Sequence, residues 1–146
     1  MSASVGDIRE ATSDEDILAL FPLACELRPH LADADLFLKQ VRRQAGEGYR
    51  IAWARGPEGE ALGFTGFRLM ETLAWGRCLY VDDLVVTEAR RAAGIGSNLV
   101  DWVVYTARAA GCQEVHLDSG THRVGAHAFY HARGMAVRAF HFSRTL

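Results

Sequence analysis

The feature that most constrains the fold is a change of hydrophobic period after residue 86. Three strand-like runs come first: "YRIAWAR" (49–55), "LGFTGFRLMETL" (62–73) and "GRCLYVDDLVV" (76–86). Aromatic and β-branched residues dominate them, and the turn sequence "GPEGEA" follows the first. They predict an antiparallel meander. The pattern then becomes a helix over 95–110, a strand at "EVHLDS", a helix over 124–133 and a last strand at "MAVRAFHFS". Gly111 and Gly134 stand where helix C-caps belong.

Ahead of the meander, "VGDIRE" (5–10) predicts a short first strand. Ser13 and Asp16 have the spacing of a helix cap, and Ile17, Leu20, Phe21, Ala24 and Leu27 recur at helical intervals. Pro22 should kink or divide that helix. A second helix is predicted from after Asp33 to near Gly46, with Leu36, Phe37, Gln40 and Val41 along one side. The 146 residues suit one core, so 1–146 reads as a single α/β domain without repeat or linker.

Charge and cysteines narrow the function. A net charge of −2 implies no strongly basic face, which argues against a nucleic-acid partner. The three cysteines, Cys25, Cys78 and Cys112, form no C-x-x-C pair, so neither a metal site nor a disulfide framework is expected. That usage fits a reduced, cytoplasmic setting. No signal-peptide pattern is seen, and no run approaches the roughly 18 apolar residues of a membrane span.

The stretch "RRAAGIGSNL" (90–99) carries the chemistry. A helix N-terminus exposes unsatisfied N–H groups with a partial positive charge. Glycines let a ligand approach the backbone, and Arg91 adds a full charge. Together they make a diphosphate cradle. A dinucleotide fingerprint, G-x-G-x-x-G, fails at its third position, which is Leu99, and a P-loop lysine motif is absent. A glycine-assisted helix start without a ligand is the plainer alternative.

R-x-x-G-x-G, from Arg91 to Gly96, resembles the diphosphate loop of the GNAT superfamily of N-acetyltransferases. "YVDDLVV" is similar to that family's fourth strand, and "AHAFYHARGM" (126–135) to its closing A-x-x-x-Y-x-x-x-G-[FM] segment. The order of predicted elements agrees over almost the whole chain. The resemblance implies an α/β (α+β) fold with a mixed, mostly antiparallel central sheet, splayed fourth and fifth strands, and flanking helices. It implies acetyl-CoA as donor, with no metal. The pantetheine arm would pair with the backbone of Val85 and Val86. The diphosphate would meet Arg91, Ala92, Ala93, Gly94, Ile95, Gly96 and Ser97. Arg123 replaces the family's common asparagine and could reach a cofactor phosphate or lie on the surface.

For the chemistry, the resemblance assigns Tyr130 as the acid that protonates the leaving thiolate; the developing oxyanion needs a donor, for which the Val86 amide is the candidate. Asp82 and Asp83 are the candidates for the base, Asp82 first. Successive strand residues face opposite sides, so both can serve one cleft only if a bulge intervenes. His127 and His131, four apart, have a spacing that can bind metal, but no third ligand is evident and they read as a solvated helix face. His116, His122 and His141, with Arg68, Trp75, Glu26, Arg28 and His30, are candidates for the acceptor wall. The expected reaction is direct transfer, in a ternary complex, to a primary amine of a small molecule. The alternatives are a protein N-terminus or lysine as acceptor, or an acyl-CoA-binding module without turnover. The resemblance also points to a homodimer.

Overall fold

The structure is a computed structural model that describes residues 8–91 and 93–146. It divides into two compact units, one ending at His116 and one from Leu117 to Leu146.

The first unit opens with β1 (Ile8–Glu10), inside the expected 5–10 strand, whose residues 5–7 lie outside the described residues. Pro22 divides the first helical stretch. Here α1 (Asp14–Ala19) stops at Leu20, and α2 (Phe21–Leu27) carries the proline in its first turn, where no intrahelical N–H is required. Ser13 caps α1 by accepting from the Asp16 N–H at 3.0 Å. Asp33 caps α3 (Ala34–Ala45) through the Leu36 N–H at 2.9 Å. The meander follows as β2 (Tyr49–Arg55), β3 (Ala61–Thr72) and β4 (Gly76–Val86), and then a short 3-10 turn at Glu88–Arg90 leads to α4 (Ile95–Ala109) and β5 (Glu114–Leu117).

The sheet order is β1-β2-β3-β4-β5, with the first four strands antiparallel. β5, reached through α4, runs parallel to β4. It has only four residues against eleven in β4, so much of β4 extends past what β5 can pair with. One face of the sheet is covered by α1–α3, whose Ile17, Leu20, Leu23, Phe37 and Val41 join Ile51, Trp53, Phe64 and Val85. The other face carries α4. Its Ile95, Leu99, Val103 and Ala107 recur every fourth residue and are all buried.

Two features of β3 position the site. Gly63 admits α4 closely: a Cβ there would lie 3.0 Å from Ile95 Cγ2 and 3.1 Å from Leu99 Cδ1. Gly63 also stands opposite Val86, so the start of α4 is held level with the end of β4. Three residues on, Gly66 faces Asp83 while Phe67 faces Val81, leaving Asp82 as the extra residue of a β-bulge.

In the second unit, α5 (Val124–Ala132) is followed by Gly134 in the left-handed region, φ 81°, as its C-cap position predicts. The strand expected at 135–143 does not form: among the described residues no strand follows Leu117. Its pattern lacks a clean apolar face, since Arg138 alternates with Phe140 and Phe142, and His141 with Val137. His141 instead pairs with Asp118 at 3.4 Å.

Candidate active site

The bulge gathers both aspartates into one cluster. Arg68 donates from Nε to Asp82 Oδ1 and Oδ2 at 3.3 and 3.0 Å. Asp83 is held from two sides. Arg28, just past α2, donates from Nε and Nη2 to Oδ1 at 3.3 and 2.9 Å. The Tyr49 hydroxyl donates to Oδ2 at 2.6 Å. The Arg68 guanidinium also lies 5.5 Å from the centre of the Tyr49 ring, which joins the two halves. Without the extra residue, Asp82 and Asp83 would face opposite sides of β4.

The backbone of the bulge is tied as well. Arg28 Nη2 donates to the Asp82 carbonyl at 3.2 Å, and the fully buried Thr65 hydroxyl donates to the Asp83 carbonyl at 3.0 Å from the opposite face. Burial raises the Asp82 pKa; Arg68 opposes that shift, and the Asp83 charge adds to it. Burial and the adjoining Asp83 charge push the Tyr49 phenol well above its usual value, so it remains a donor at neutral pH.

The end of β4 offers backbone groups in alternation. Thr87 N–H donates to Leu62 O at 2.8 Å, and Val85 stands two residues earlier on the same side. The polar backbone of Val85 therefore faces β3, whereas that of Val86 and Leu84 faces away from it. Of the two valines assigned to pantetheine, Val86 presents its amide on the side away from β3.

The glycine loop is narrowed in the same way. Arg91 N–H donates to Glu88 O at 3.4 Å and Ala93 N–H to Arg90 O at 3.2 Å, so both are occupied within the loop. Ala92 lies outside the described residues. Gly94 takes φ 86°, a left-handed turn that favours glycine, and starts α4 without a side-chain cap. The first intrahelical bond is Asn98 N–H to Gly94 O at 3.0 Å, which leaves the amides of Ile95, Gly96 and Ser97 at the open end of the helix. Asn98 Nδ2, in the same turn, is buried with no acceptor among the described residues. Donors in excess, one adjoining arginine and a Gly96 without Cβ fit a diphosphate.

Tyr130 and Arg123 sit in the second unit. Tyr130 is partly buried in α5, and its ring meets Phe129 edge-on, centroids 5.5 Å apart. Burial raises its phenol pKa, partly offset by the Arg123 charge, so these two candidates share one electrostatic environment. His127 is tied to Gly120 O at 2.7 Å and His131 is exposed.

The candidates for the acceptor wall separate. Arg28 and Arg68 join the acid cluster. Glu26 accepts the Glu88 N–H at 3.3 Å, linking α2 to the start of the glycine loop. Trp75 stacks on His116 with centroids 3.7 Å apart, and His116 pairs with Glu114, so these partner one another rather than the acids. Tyr49, Thr65 and Gly66 also belong to the cluster and are not singled out by the sequence. An isolated glycine inside the apolar strand "LGFTGFRLM" was the available signal, since glycine there marks a bulge or a close approach.

Residues 14–135 match the acetyltransferase (GNAT) family. The uncharacterized N-acetyltransferase YhdJ of Bacillus subtilis (strain 168) is 28% identical over 138 residues, covering 94% of this chain and 96% of that protein. The aminoalkylphosphonate N-acetyltransferase of Salmonella typhimurium is 29% identical over 146 residues, covering 97% and 92%. In fold, the ribosomal-protein-alanine N-acetyltransferase from Brucella melitensis biovar Abortus 2308 superposes with a TM-score of 0.81 at 18% identity, over 96% of this chain and 99% of that one. With the family match running from α1 to just beyond α5, the chain belongs to the GNAT family and is an acyltransferase of the N-acetyltransferase type.

Proposed function

We propose that the protein transfers an acetyl group from acetyl-CoA to the primary amine of a small molecule, directly, with both substrates bound together. The observation that carries this reading is the bulge that brings Asp82 and Asp83 together, beside a helix N-terminus whose first amides are open. The Salmonella relative, by its name, acetylates an aminoalkylphosphonate, which favours a small acceptor here. The family match spans both compact units, which supports treating 1–146 as one catalytic domain. Cys25, Cys78 and Cys112 are free, in keeping with a reducing cytoplasm.

The Ile95, Gly96 and Ser97 amides, with Arg91, hold the diphosphate, and Val86 pairs with the pantetheine arm. Bound acetyl-CoA supplies a thioester whose carbonyl carbon is the point of attack. An alkyl amine has a pKa near that of lysine, about 10.4, so at neutral pH it arrives protonated. Asp82 takes the proton, directly or through water, and its raised pKa suits that task. The Val86 N–H stabilises the carbonyl oxygen as charge develops there. As the new C–N bond forms and the C–S bond breaks, Tyr130 gives its proton to the sulfur, a role its raised pKa preserves at neutral pH, and the second proton leaving the nitrogen passes through water to restore the phenol.

The test is release of free thiol from acetyl-CoA across a panel of primary amines that includes 2-aminoethylphosphonate. Acceleration by at least one amine, abolished in Asp82→Asn and Tyr130→Phe while coenzyme A still binds, supports the reading. Absence of acceleration by every amine contradicts it.

A further inference from the structure

The Tyr49 hydroxyl reaches Asp83 only because residue 66 is glycine. A Cβ on Gly66 would lie 1.9 Å from the Tyr49 oxygen and 2.4 Å from the ring carbon that bears it. Tyr49 stands opposite Arg68, and Gly66 opposite Asp83, so β2, β3 and β4 each contribute one residue to a single path across the sheet. A gap in β3 is thus filled by a side chain from β2 to grip an acid on β4.

The two acids are gripped differently. Among the described residues the Asp82 carboxylate meets one hydrogen-bond donor, the Nε of Arg68. Among the described residues Asp83 meets three donors, two on Oδ1 and one on Oδ2. A carboxylate offers about four lone-pair positions, so one remains on Oδ2. The Asp83 side chain keeps 17% of its surface open to solvent. Asp83 is therefore a fixed anion with one open acceptor position, a geometry suited to a cationic ammonium group.

We propose that Tyr49 is a positioning residue for acceptor binding: reaching across Gly66, its hydroxyl aims the open lone pair of Asp83 at the acceptor's ammonium group, while Asp82 exchanges the proton. This rests on reading the acid pair as the amine side of the site. The substrate class it implies is a primary amine that binds as the cation. Arg28, with its side chain 48% exposed, holds the other oxygen and joins the same anchor to the end of α2.

The experiment is a set of steady-state measurements on the full chain, with the fastest amine of the panel as acceptor. Losing a hydrogen bond to a charged group predicts roughly a tenfold or greater rise in the acceptor KM of Tyr49→Phe. The kcat at saturation and the acetyl-CoA KM stay near wild type. In the Asp83→Asn background, Tyr49→Phe adds nothing further to the acceptor KM, because Tyr49 acts through that carboxylate. Arg28→Gln also raises the acceptor KM and serves if Tyr49→Phe does not fold. An unchanged acceptor KM in Tyr49→Phe, or an undiminished effect of it on Asp83→Asn, overturns the proposal. Asp82→Asn separates the two readings: a retained kcat there removes Asp82 as the base and leaves the Tyr49 result standing.

Discussion

Arg68 on β3 stands opposite Tyr80 and reaches along β4 to donate to both carboxylate oxygens of Asp82, at 3.3 and 3.0 Å. Its guanidinium is the main counterweight to the burial that raises the Asp82 pKa. The pair sets the pH at which the acid can accept a proton.

A first prediction follows for the pH dependence of the rate. Protonated Asp82 cannot take a proton from the amine, so kcat/KM falls as pH drops through its pKa. Because that pKa is raised, the fall begins above the range of a free aspartate, about 3.9. Arg68→Gln removes a group that lowers it, so the acid limb moves to still higher pH. The check is kcat/KM against pH for both proteins with one amine. An acid limb that stays in place would show that Asp82 does not govern it.

A second prediction concerns the hold on the cofactor loop. Leu99 is fully buried and packs against Gly63, which fixes the start of α4 beside the end of β4. Leu99→Ala should destabilise the fold by about 2–5 kcal/mol, read from urea unfolding. It should also weaken coenzyme A binding at a temperature where the variant is folded.

Gly94→Ala tests the turn itself. At φ 86° an alanine is strained by about 1–2 kcal/mol. The expected outcome is loss of coenzyme A affinity out of proportion to loss of stability, measured by calorimetry beside thermal unfolding. Equal stability with equal affinity would show that the loop does not depend on this turn.

Ser13→Ala is the contrasting case. It removes the cap on α1, whose hydroxyl accepts the Asp16 N–H at 3.0 Å. The loss should be about 1 kcal/mol of stability, with kcat and both KM values unchanged at low temperature.

Much of the architecture was readable from local chemistry. The divided helix follows from Pro22, the caps from Ser13 and Asp33, and the meander from three apolar runs with little between them. The start of α4 was legible because a positive-φ glycine and a four-residue apolar stripe act locally. The acid cluster was legible only in part. Asp82 and Asp83 stood out in an apolar strand, but their convergence depends on a bulge set by pairing with β3. Tyr49 is 34 residues away from Asp83 in sequence, and nothing in its own neighbourhood announces that contact. The last expected strand failed for the opposite reason: "MAVRAFHFS" is apolar enough to suggest one, but strands are made by a partner ladder and a consistent face.

The claim on which the whole account depends is that the first amides of α4 receive the diphosphate of the acetyl donor. The direct measurement is an amide NMR titration of the 15N-labelled protein with coenzyme A. The account predicts saturable shifts that are largest at Ile95, Gly96 and Ser97. Binding that leaves those three amides unmoved, or no binding at all, would contradict it.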